Sequence, residues 1–353
     1  MERVAVAALT AEVTAIFAAK GCDADEARDV ATSLVGANLT GHDSHGVVRV
    51  PRYVAWVDED VLRPGRGLEL VSDGGAFVVA DGGQGFGQTL GRRIVELGVA
   101  RARDHGVAVT ALRRAGHLGR IGEWAERAAA AGLVSIHCVN VHGSVLVAPF
   151  GAMDKRFSTA PFAVGVPQAA APPLILDFAT SKVAEGKVLN AVKGGKALPP
   201  ACVIAPDGRL SHDPADFYGT ADPTHVPAAV SAPGALVAMG DHKGSGLAFM
   251  MEVLGGALTG GGTCGPDKAP VLNGMLSIFL DPARLDPAND FHGEVQRFTD
   301  WVRAARPRPH VEAVEVPGDA ERRLAAERRE QGVPLPAEVR RAITATADAL
   351  GCG

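Results

Sequence analysis

Apolar residues recur at helical spacing near the start of the chain. Leu9, Val13 and Ile16 return to one face of a helix every three or four residues. Asp23 is of a residue type that caps helix N-termini. The pattern therefore predicts two amphipathic helices between residues 4 and 38, followed by a polar segment at 41–53.

From residue 76 onward, short β-branched runs alternate with helical patterns. The runs at 76–82, 107–113 and 133–141 predict strands, and the segments 88–105 and 123–132 predict helices between them. Strands with frequent proline are predicted for 143–240, then an apolar helix at 243–259, a strand at 274–282 and charged helices toward the C-terminus. The chain is therefore predicted to be α/β.

Composition narrows the functional classes. The net charge is −5 and aromatic residues make up 5% of the chain, which argues against nucleic-acid binding by basic clusters and base stacking. The five cysteines are scattered, and no metal-ligand spacing is found. No uncharged apolar run reaches about 18 residues, and no signal-peptide pattern is found. We expect a cytoplasmic protein without metal, membrane or nucleic-acid partners.

Three glycine-rich segments, at 81–87, 116–122 and 260–265, are candidates for phosphate binding. None has the G-x-G-x-x-G spacing of a Rossmann loop, and the third lacks the Lys-Ser/Thr of a P-loop. The second lies between a predicted strand and a predicted helix, where backbone N–H groups attract anions and Arg120 adds positive charge. An anion site and an ordinary turn both stay open for this segment.

The segment 41–50 combines a histidine and an arginine. If it is helical, His45 and Arg49 are four residues apart and share a face. Arg49 would then hold a substrate carboxylate in a bidentate fork, while His45 exchanges the proton of an alcohol. The alternative is structural, with Asp43 and Ser44 capping a helix and Arg49 pairing with a surface acid.

Further polar residues stand at the ends of predicted strands. His117 lies in a loop after a strand, a common position for catalytic side chains. Asp177 closes an apolar strand, where it suits either ribose hydroxyls or a turn cap. Lys243 precedes a helix and opposes its dipole, which favours a ligand-binding reason for it. His137, inside an apolar strand, is predicted to belong to the core.

Seven stretches, in order along nearly the whole chain, resemble the malate/L-lactate dehydrogenase family of NAD(P)-dependent oxidoreductases. They are GHDSHGVVRVPRY, VADGGQGFGQ, GHLGRIGEWAERAAAAGLVSI, VAPFG, PPLILDFATSKVAEGK, GDHKGSGLAFMMEVLGGALTG and VPGDAERRLAAERREQGVPL. This family also contains ureidoglycolate dehydrogenase, sulfolactate dehydrogenase and 2,3-diketogulonate reductase. The segments VNVHG and VAPFG are most similar to its hydroxycarboxylate dehydrogenases.

The resemblance implies a non-Rossmann α/β fold with a mixed or largely antiparallel cofactor-domain sheet and a helical domain from both termini. It also implies a homodimer that uses NAD or NADP. The predicted parts are a helical domain of 1–75 with 290–353, an α/β segment with the catalytic loop at 76–142, and a strand-rich NAD(P)-binding domain at 143–289.

The resemblance further implies roles for individual residues. His45, His117 and Arg49 match catalytic positions, and Ser44, Arg49 and His117 are expected at the substrate. Residues expected to line the cofactor are His45, Gly119, Arg120, Ile121, Asp177, Phe178, Ala179, Thr180, His242, Lys243, Asn273, Gly318 and Asp319. Either histidine is a candidate for the proton donor.

Two positions depart from the family pattern. The chain has Ser158-Thr159-Ala160-Pro161 where Gly-Thr-Asn-Pro is usual, and Lys243-Gly244-Ser245-Gly246 where Lys-Gly-Tyr-Gly is usual. Without the Asn amide, position 160 loses a donor and an acceptor near the cleft. Both changes bear on which substrate the protein accepts.

Together these features predict reversible hydride transfer between nicotinamide C4 and C2 of a small 2-oxo or 2-hydroxy acid. Arg49 would fix the carboxylate, and a histidine would exchange the proton. Two alternatives stay open. One is reduction of a cyclic or N-alkyl 2-imino acid by the same hydride step, and the other is a non-catalytic binding homologue.

Overall fold

Strands and helices alternate along most of the chain in the computed structural model, which describes residues 2–192, 197–222, 225–266 and 270–353. The strands are β1 (Glu2–Val4), β2 (Glu69–Asp73), β3 (Phe77–Asp81), β4 (Val107–Ala115), β5 (Val134–His142), β6 (Val147–Ala148), β7 (Pro161–Val166), β8 (Leu174–Ala179), β9 (Val203–Ile204), β10 (Leu210–Ser211), β11 (Ala235–Val237), β12 (Leu272–Leu280) and β13 (Val333–Leu335). The α-helices are α1 (Val6–Ala19), α2 (Ala24–Leu39), α3 (Val50–Asp58), α4 (Gly87–His105), α5 (Gly122–Ala130), α6 (Glu185–Val192), α7 (Pro214–Tyr218), α8 (His242–Met251), α9 (Pro282–Leu285), α10 (Phe291–Arg303), α11 (Asp319–Gln331) and α12 (Ala337–Ala349).

The largest sheet orders its strands β2-β3-β4-β12-β5-β7-β8. Among these strands β3 and β4 run parallel, and the other neighbours are antiparallel. A Rossmann sheet is mostly parallel, so the predicted non-Rossmann, largely antiparallel fold is confirmed. The sheet takes strands from both sides of residue 142, and the division into three parts stays a prediction.

Helices from both ends of the chain share one hydrophobic core. Its buried residues include Leu9, Val13, Ile16, Phe17, Val30, Leu34, Tyr53, Ile343 and Ala347. Strand β1 pairs antiparallel with β13 and joins the two ends. The Asp23 carboxylate accepts N–H bonds at the start of α2, as its cap role predicted. The helical domain built from both termini is therefore confirmed.

The part between residues 143 and 240 contains more helix than its sequence predicted. A second sheet, ordered β10-β9-β11-β6, consists of strands of two or three residues. Helix α6 was not predicted from the sequence, and Val188 is the one residue that it buries fully. The predicted helix at 243–259 is present as α8, which continues as a π-helical stretch at Glu252–Ala257.

Across the described ranges, no helix combines the length and the apolar character that a membrane span requires.

Candidate active site

The segment that carries His45 forms two short 3₁₀ turns, so the condition under which His45 and Arg49 would share the face of a continuous helix is not met. The turns Asp43–His45 and Val47–Arg49 are separated by Gly46, whose backbone is extended. The interruption has a physical cause, since Asn38 Oδ1 accepts the Val47 N–H at 2.8 Å. A Cβ on Gly46 would lie 2.1 Å from the same oxygen, so only glycine fits.

Contacts with distant parts of the chain hold this segment in place. The Asp43 carboxylate accepts from Asn38 Nδ2 at 2.6 Å and from Arg328 of α11 at 2.7 Å. The Asp43 carboxylate therefore anchors the segment to Asn38 and Arg328. Arg49 Nε donates to the Ser44 carbonyl at 2.6 Å. The two terminal guanidinium nitrogens take no part in this hydrogen bond.

His117 lies in the loop between β4 and α5, pressed against the start of α4. A Cβ on Gly87 would lie 2.3 Å from the His117 carbonyl oxygen, so the loop can approach only because residue 87 is glycine. The Gly116 N–H donates to the Gly85 carbonyl at 2.9 Å. The first glycine-rich segment thus supports the His117 loop by close packing.

Asn273 of β12 secures the same loop from the opposite side. Its Oδ1 accepts the Leu118 N–H at 2.8 Å, and its Nδ2 donates to the Asn140 carbonyl at 2.8 Å. Both ends of this amide, which is 3% exposed, are therefore used within the protein. The direct contact of Asn273 with the cofactor stays a prediction.

The two histidines predicted from sequence lie in contact, with their ring planes parallel. Their ring centroids are 5.2 Å apart with 6° between the planes, and His45 Nδ1 lies 3.3 Å from His117 Nε2. Tyr53 Oη of α3 lies 2.5 Å from His117 Nδ1. Gln88 Nε2 of α4 donates to that hydroxyl at 3.1 Å. The sequence reasoning missed Tyr53 and Gln88, although both occur in stretches that resemble the family.

The electrostatic surroundings keep both imidazoles neutral. Burial lowers the pKa of His45 to about 3, with Arg49 and His42 adding to the effect. Burial and the neighbouring His45 and Arg49 lower the pKa of His117 well below its usual value. No hydrogen bond or ion pair from the described residues engages the terminal nitrogens of Arg49. The site thus combines two neutral proton carriers with an available guanidinium.

Arg120 and Asp177 lie together where the second glycine-rich segment enters α5. Arg120 is 4% exposed and pairs with Glu126 through Nη2, while its Nη1 has no hydrogen-bond partner in the described part of the chain. Asp177 Oδ2 accepts the Gly122 N–H at 2.8 Å. Burial raises the pKa of Asp177, against the opposing effect of Arg120. Asp177 thus caps α5 and also faces a buried guanidinium.

Strand β8 joins several of the other predicted cofactor residues. The Ile175 N–H donates to the Pro317 carbonyl at 3.2 Å, next to Gly318 and Asp319. At the other end of the strand, the Thr180 carbonyl accepts the Met239 N–H at 2.8 Å. The structure therefore gathers the 119–122 loop and the 317–319 turn along β8, which also carries Phe178 and Ala179. Within the described ranges, His242 contacts the Phe150 ring, and neither His242 nor Lys243 makes a hydrogen bond, ion pair or ring contact with the histidine pair.

The two departures from the family pattern have local explanations. Ser245 Oγ accepts the Phe150 N–H at 2.9 Å. Ala160 is buried with φ +29°, a region that asparagine tolerates better than alanine. Its N–H donates to Ser158 Oγ at 3.2 Å, and Ser158 donates to Glu252 at 3.0 Å. Serine at 158 therefore supplies a hydrogen-bonding group beside the missing amide.

In the described residues, no group of three or more His, Cys, Asp or Glu side chains could hold a metal ion.

The fold and the paired histidines belong to an oxidoreductase of the dehydrogenase type. Residues 4–344 match the family model described as malate/L-lactate dehydrogenase, and the chain belongs to that family.

Known proteins resemble the chain over almost its whole length. It is 39% identical to hydroxycarboxylate dehydrogenase B of Escherichia coli (strain K12) over 346 residues, 96% of this chain and 92% of that protein. It is 36% identical to L-lactate dehydrogenase of Cupriavidus necator over 312 residues, 87% of this chain and 86% of that protein. A solved E. coli structure, provisionally described as a malate/lactate dehydrogenase, has a TM-score of 0.92 at 38% identity, covering 99% and 96% of the two chains. The predicted family and its hydroxycarboxylate dehydrogenase likeness are confirmed.

Proposed function

We propose that the protein transfers hydride reversibly between NAD or NADP and C2 of a small 2-oxo or 2-hydroxy acid. The observation that carries this proposal is the stacked pair of neutral histidines, His45 and His117, beside a guanidinium with available nitrogens. Relatives named for hydroxycarboxylates and L-lactate support the same substrate class.

Arg49 binds the substrate carboxylate in this proposal. Its Nε is held by the Ser44 carbonyl, which orients the planar guanidinium and leaves two nitrogens for a bidentate pair. Ser44 lies next to this position and contributes its hydroxyl. The C2 oxygen then comes within reach of the histidine pair, from which it takes a proton in reduction and to which it returns one in oxidation.

The nicotinamide cofactor, when bound, accepts or supplies the hydride at C4. Arg120 fits such a group, because its buried Nη1 lacks a partner and a phosphate would satisfy it. The loop residues Gly119 and Ile121, the β8 residues from Asp177 to Thr180, His242, Lys243, Gly318 and Asp319 are proposed to complete the cofactor site. The homodimer and the cytoplasmic location also stay predictions.

The test follows NADH and NADPH oxidation against a panel of 2-oxo acids, with and without methylamine. We expect turnover without amine, and a loss of about 10²- to 10⁴-fold in His45→Ala and His117→Ala. The exposed His105→Ala on α4 is the matched control and should keep the parent rate.

Each contrary outcome identifies a different alternative. Reduction only in the presence of amine would assign the protein to 2-imino acids. If neither NADH nor NADPH binds in a fluorescence titration, the protein is a non-catalytic homologue. Full activity in both histidine variants would refute the proton-transfer assignment.

A further inference from the structure

Four side chains from separate parts of the chain form one continuous series of hydrogen-bonding contacts. Gln88 Nε2 lies 3.1 Å from Tyr53 Oη, and Tyr53 Oη lies 2.5 Å from His117 Nδ1. His117 Nε2 lies 3.3 Å from His45 Nδ1. The direction in which protons point along this series decides which nitrogen of each histidine carries hydrogen.

The orientation of the Gln88 amide is fixed by a backbone group. Its Nε2 also lies 3.2 Å from the His117 carbonyl oxygen, which can only accept a hydrogen bond. A flipped amide would place two acceptors against each other, so the atom at this position is the nitrogen. Gln88 Oε1 is consequently buried without a hydrogen-bond partner among the described residues. This arrangement costs stability and calls for a functional reason.

The orientation of the Gln88 amide fixes the proton positions on Tyr53, His117 and His45. The Tyr53 oxygen already receives an N–H from Gln88, so its own proton points to His117 Nδ1. A neutral imidazole that accepts at Nδ1 carries its proton on Nε2. His117 therefore donates to His45 Nδ1, and His45 in turn carries its proton on Nε2.

We propose that Gln88 and Tyr53 are positioning residues that set the tautomers of both histidines, so that His45 Nε2–H is the proton available to the substrate. This inference rests on the proposed function and deepens it. It assigns the catalytic proton to His45, and it makes His117 the link that keeps His45 in the donating tautomer.

Each proton transfer along the series breaks one bond to hydrogen and forms another. In reduction the substrate C2 oxygen forms an O–H bond as the His45 Nε2–H bond breaks. His45 Nδ1 takes the Nε2 proton of His117, and His117 Nδ1 takes the hydroxyl proton of Tyr53. The negative charge moves from the substrate oxygen to the Tyr53 oxygen, where Gln88 Nε2–H and the nearby charge of Arg49 partly offset the burial that raises the pKa of Tyr53 to about 12. Water returns a proton to Tyr53 after product release, and oxidation reverses these steps.

The test reads the tautomers directly in the full-length, cofactor-free protein. Histidine labelled with ¹⁵N distinguishes Nε2–H from Nδ1–H rings in long-range ¹H–¹⁵N spectra, with His45 and His117 assigned by the signals lost in their glutamine variants. The variants are Tyr53→Phe, which keeps the ring packed against Phe17 and Phe86, and Gln88→Met, which keeps side-chain length.

Two controls separate tautomer loss from general disturbance. Thr89→Val changes the next buried residue of α4, whose hydroxyl has no hydrogen-bond partner in the described part of the chain, and should alter neither tautomers nor rates. His137, held between Ser135 and Ser277, is an internal reference whose signals should stay constant in every variant.

We expect Nε2–H rings for both His45 and His117 in the parent protein. In Tyr53→Phe, His117 should become a mixture of tautomers, and kcat should fall about 10²-fold with KM within about twofold. Gln88→Met should give a smaller change of the same kind. An Nδ1–H ring at His117 in the parent, or unchanged tautomers in both variants, would overturn the inference. The spectra need no substrate, so an enzyme that failed to reduce 2-oxo acids would still answer this question.

Discussion

At the scale of single residues, Arg49 differs from Arg52, one turn further along the chain, in what surrounds its guanidinium. Arg52 lies over the Trp56 ring and pairs with Glu59 at 3.5 Å, more than half exposed. Arg49 is held at Nε only. Burial and orientation, rather than residue type, separate the proposed substrate ligand from a surface arginine.

Replacing Arg49 by lysine should therefore lower kcat/KM for a 2-oxo acid about 10- to 100-fold. A bidentate charged pair becomes a single contact, and hydrogen bonds to charged groups contribute about 1.5–3 kcal/mol. Initial rates of NAD(P)H oxidation measure the effect, with Arg52→Lys as the matched control. An equal loss in both variants would contradict a substrate role for Arg49.

The buried His137 leads to a prediction about how the free energy of unfolding depends on pH. Burial lowers its pKa to about 3, whereas an unfolded histidine titrates near 6.5. Between these values the unfolded chain binds more protons, so the free energy of unfolding falls as the pH drops below about 6.5. When the pH is lowered from 7.5 to 5.5, this one residue should lower the free energy of unfolding by about 1.4 kcal/mol.

Urea denaturation at the two pH values measures this contribution. In His137→Gln the loss between pH 7.5 and pH 5.5 should be smaller than in the parent by that amount. The decrease should not vanish, since the half-buried His45 and His117 also have lowered pKa values and act in the same direction. The same pH dependence in parent and variant would show that His137 does not stay neutral in the folded protein.

At the scale of elements, local pattern and tertiary contact sometimes disagree. Helices α1, α2 and α4 and strands β4 and β5 follow the predicted periodicity closely, because each buries one face or both over many residues. The 41–50 segment does not, since Asn38 of α2 takes the N–H that a continuous helix would use. The short helix α6, which buries only Val188 fully, was not predicted from the sequence.

The contact between α4 and the His117 loop gives a prediction at this scale. Gly87→Ala should lower kcat at least tenfold, because the added Cβ would lie 2.3 Å from the His117 carbonyl and a displacement of about 1 Å can cost 10²-fold. Gly36→Ala, in α2 with nothing within 4 Å, is the control and should stabilise slightly. If Gly87→Ala keeps the kcat of the parent protein, the His117 loop tolerates the displacement.

At the scale of the whole molecule, the site exists because remote segments converge. The histidine pair joins residues 45 and 117, Arg328 anchors Asp43 from α11, and Asn273 secures Leu118 from β12. Strand β12 lies between β4 and β5, which places Asn273 directly beside the His117 loop. Such pairings depend on the topology of the sheet and leave no local trace in the sequence.

The proposed homodimer is also a property of the whole molecule. Light scattering coupled to size-exclusion chromatography should give twice the chain mass of 36.3 kDa. Phe298 and Trp301 of α10 are 54% and 68% exposed in the single chain, and neighbouring exposed apolar side chains are typical of surfaces that a partner covers. A mass of one chain across a range of loading concentrations would contradict the prediction.

The sequence by itself determined the family, the α/β class and the terminal helices, because periodicity and ordered motifs are local properties of a chain. It also singled out His45, His117 and Arg49 as candidate site residues. The tertiary structure decided how these side chains are arranged. It stacked the two imidazoles, removed their charge by burial, and brought Tyr53 and Gln88 into line with them. A pKa and a hydrogen-bond direction depend on the surroundings of a group, and those surroundings come from residues far away in the chain.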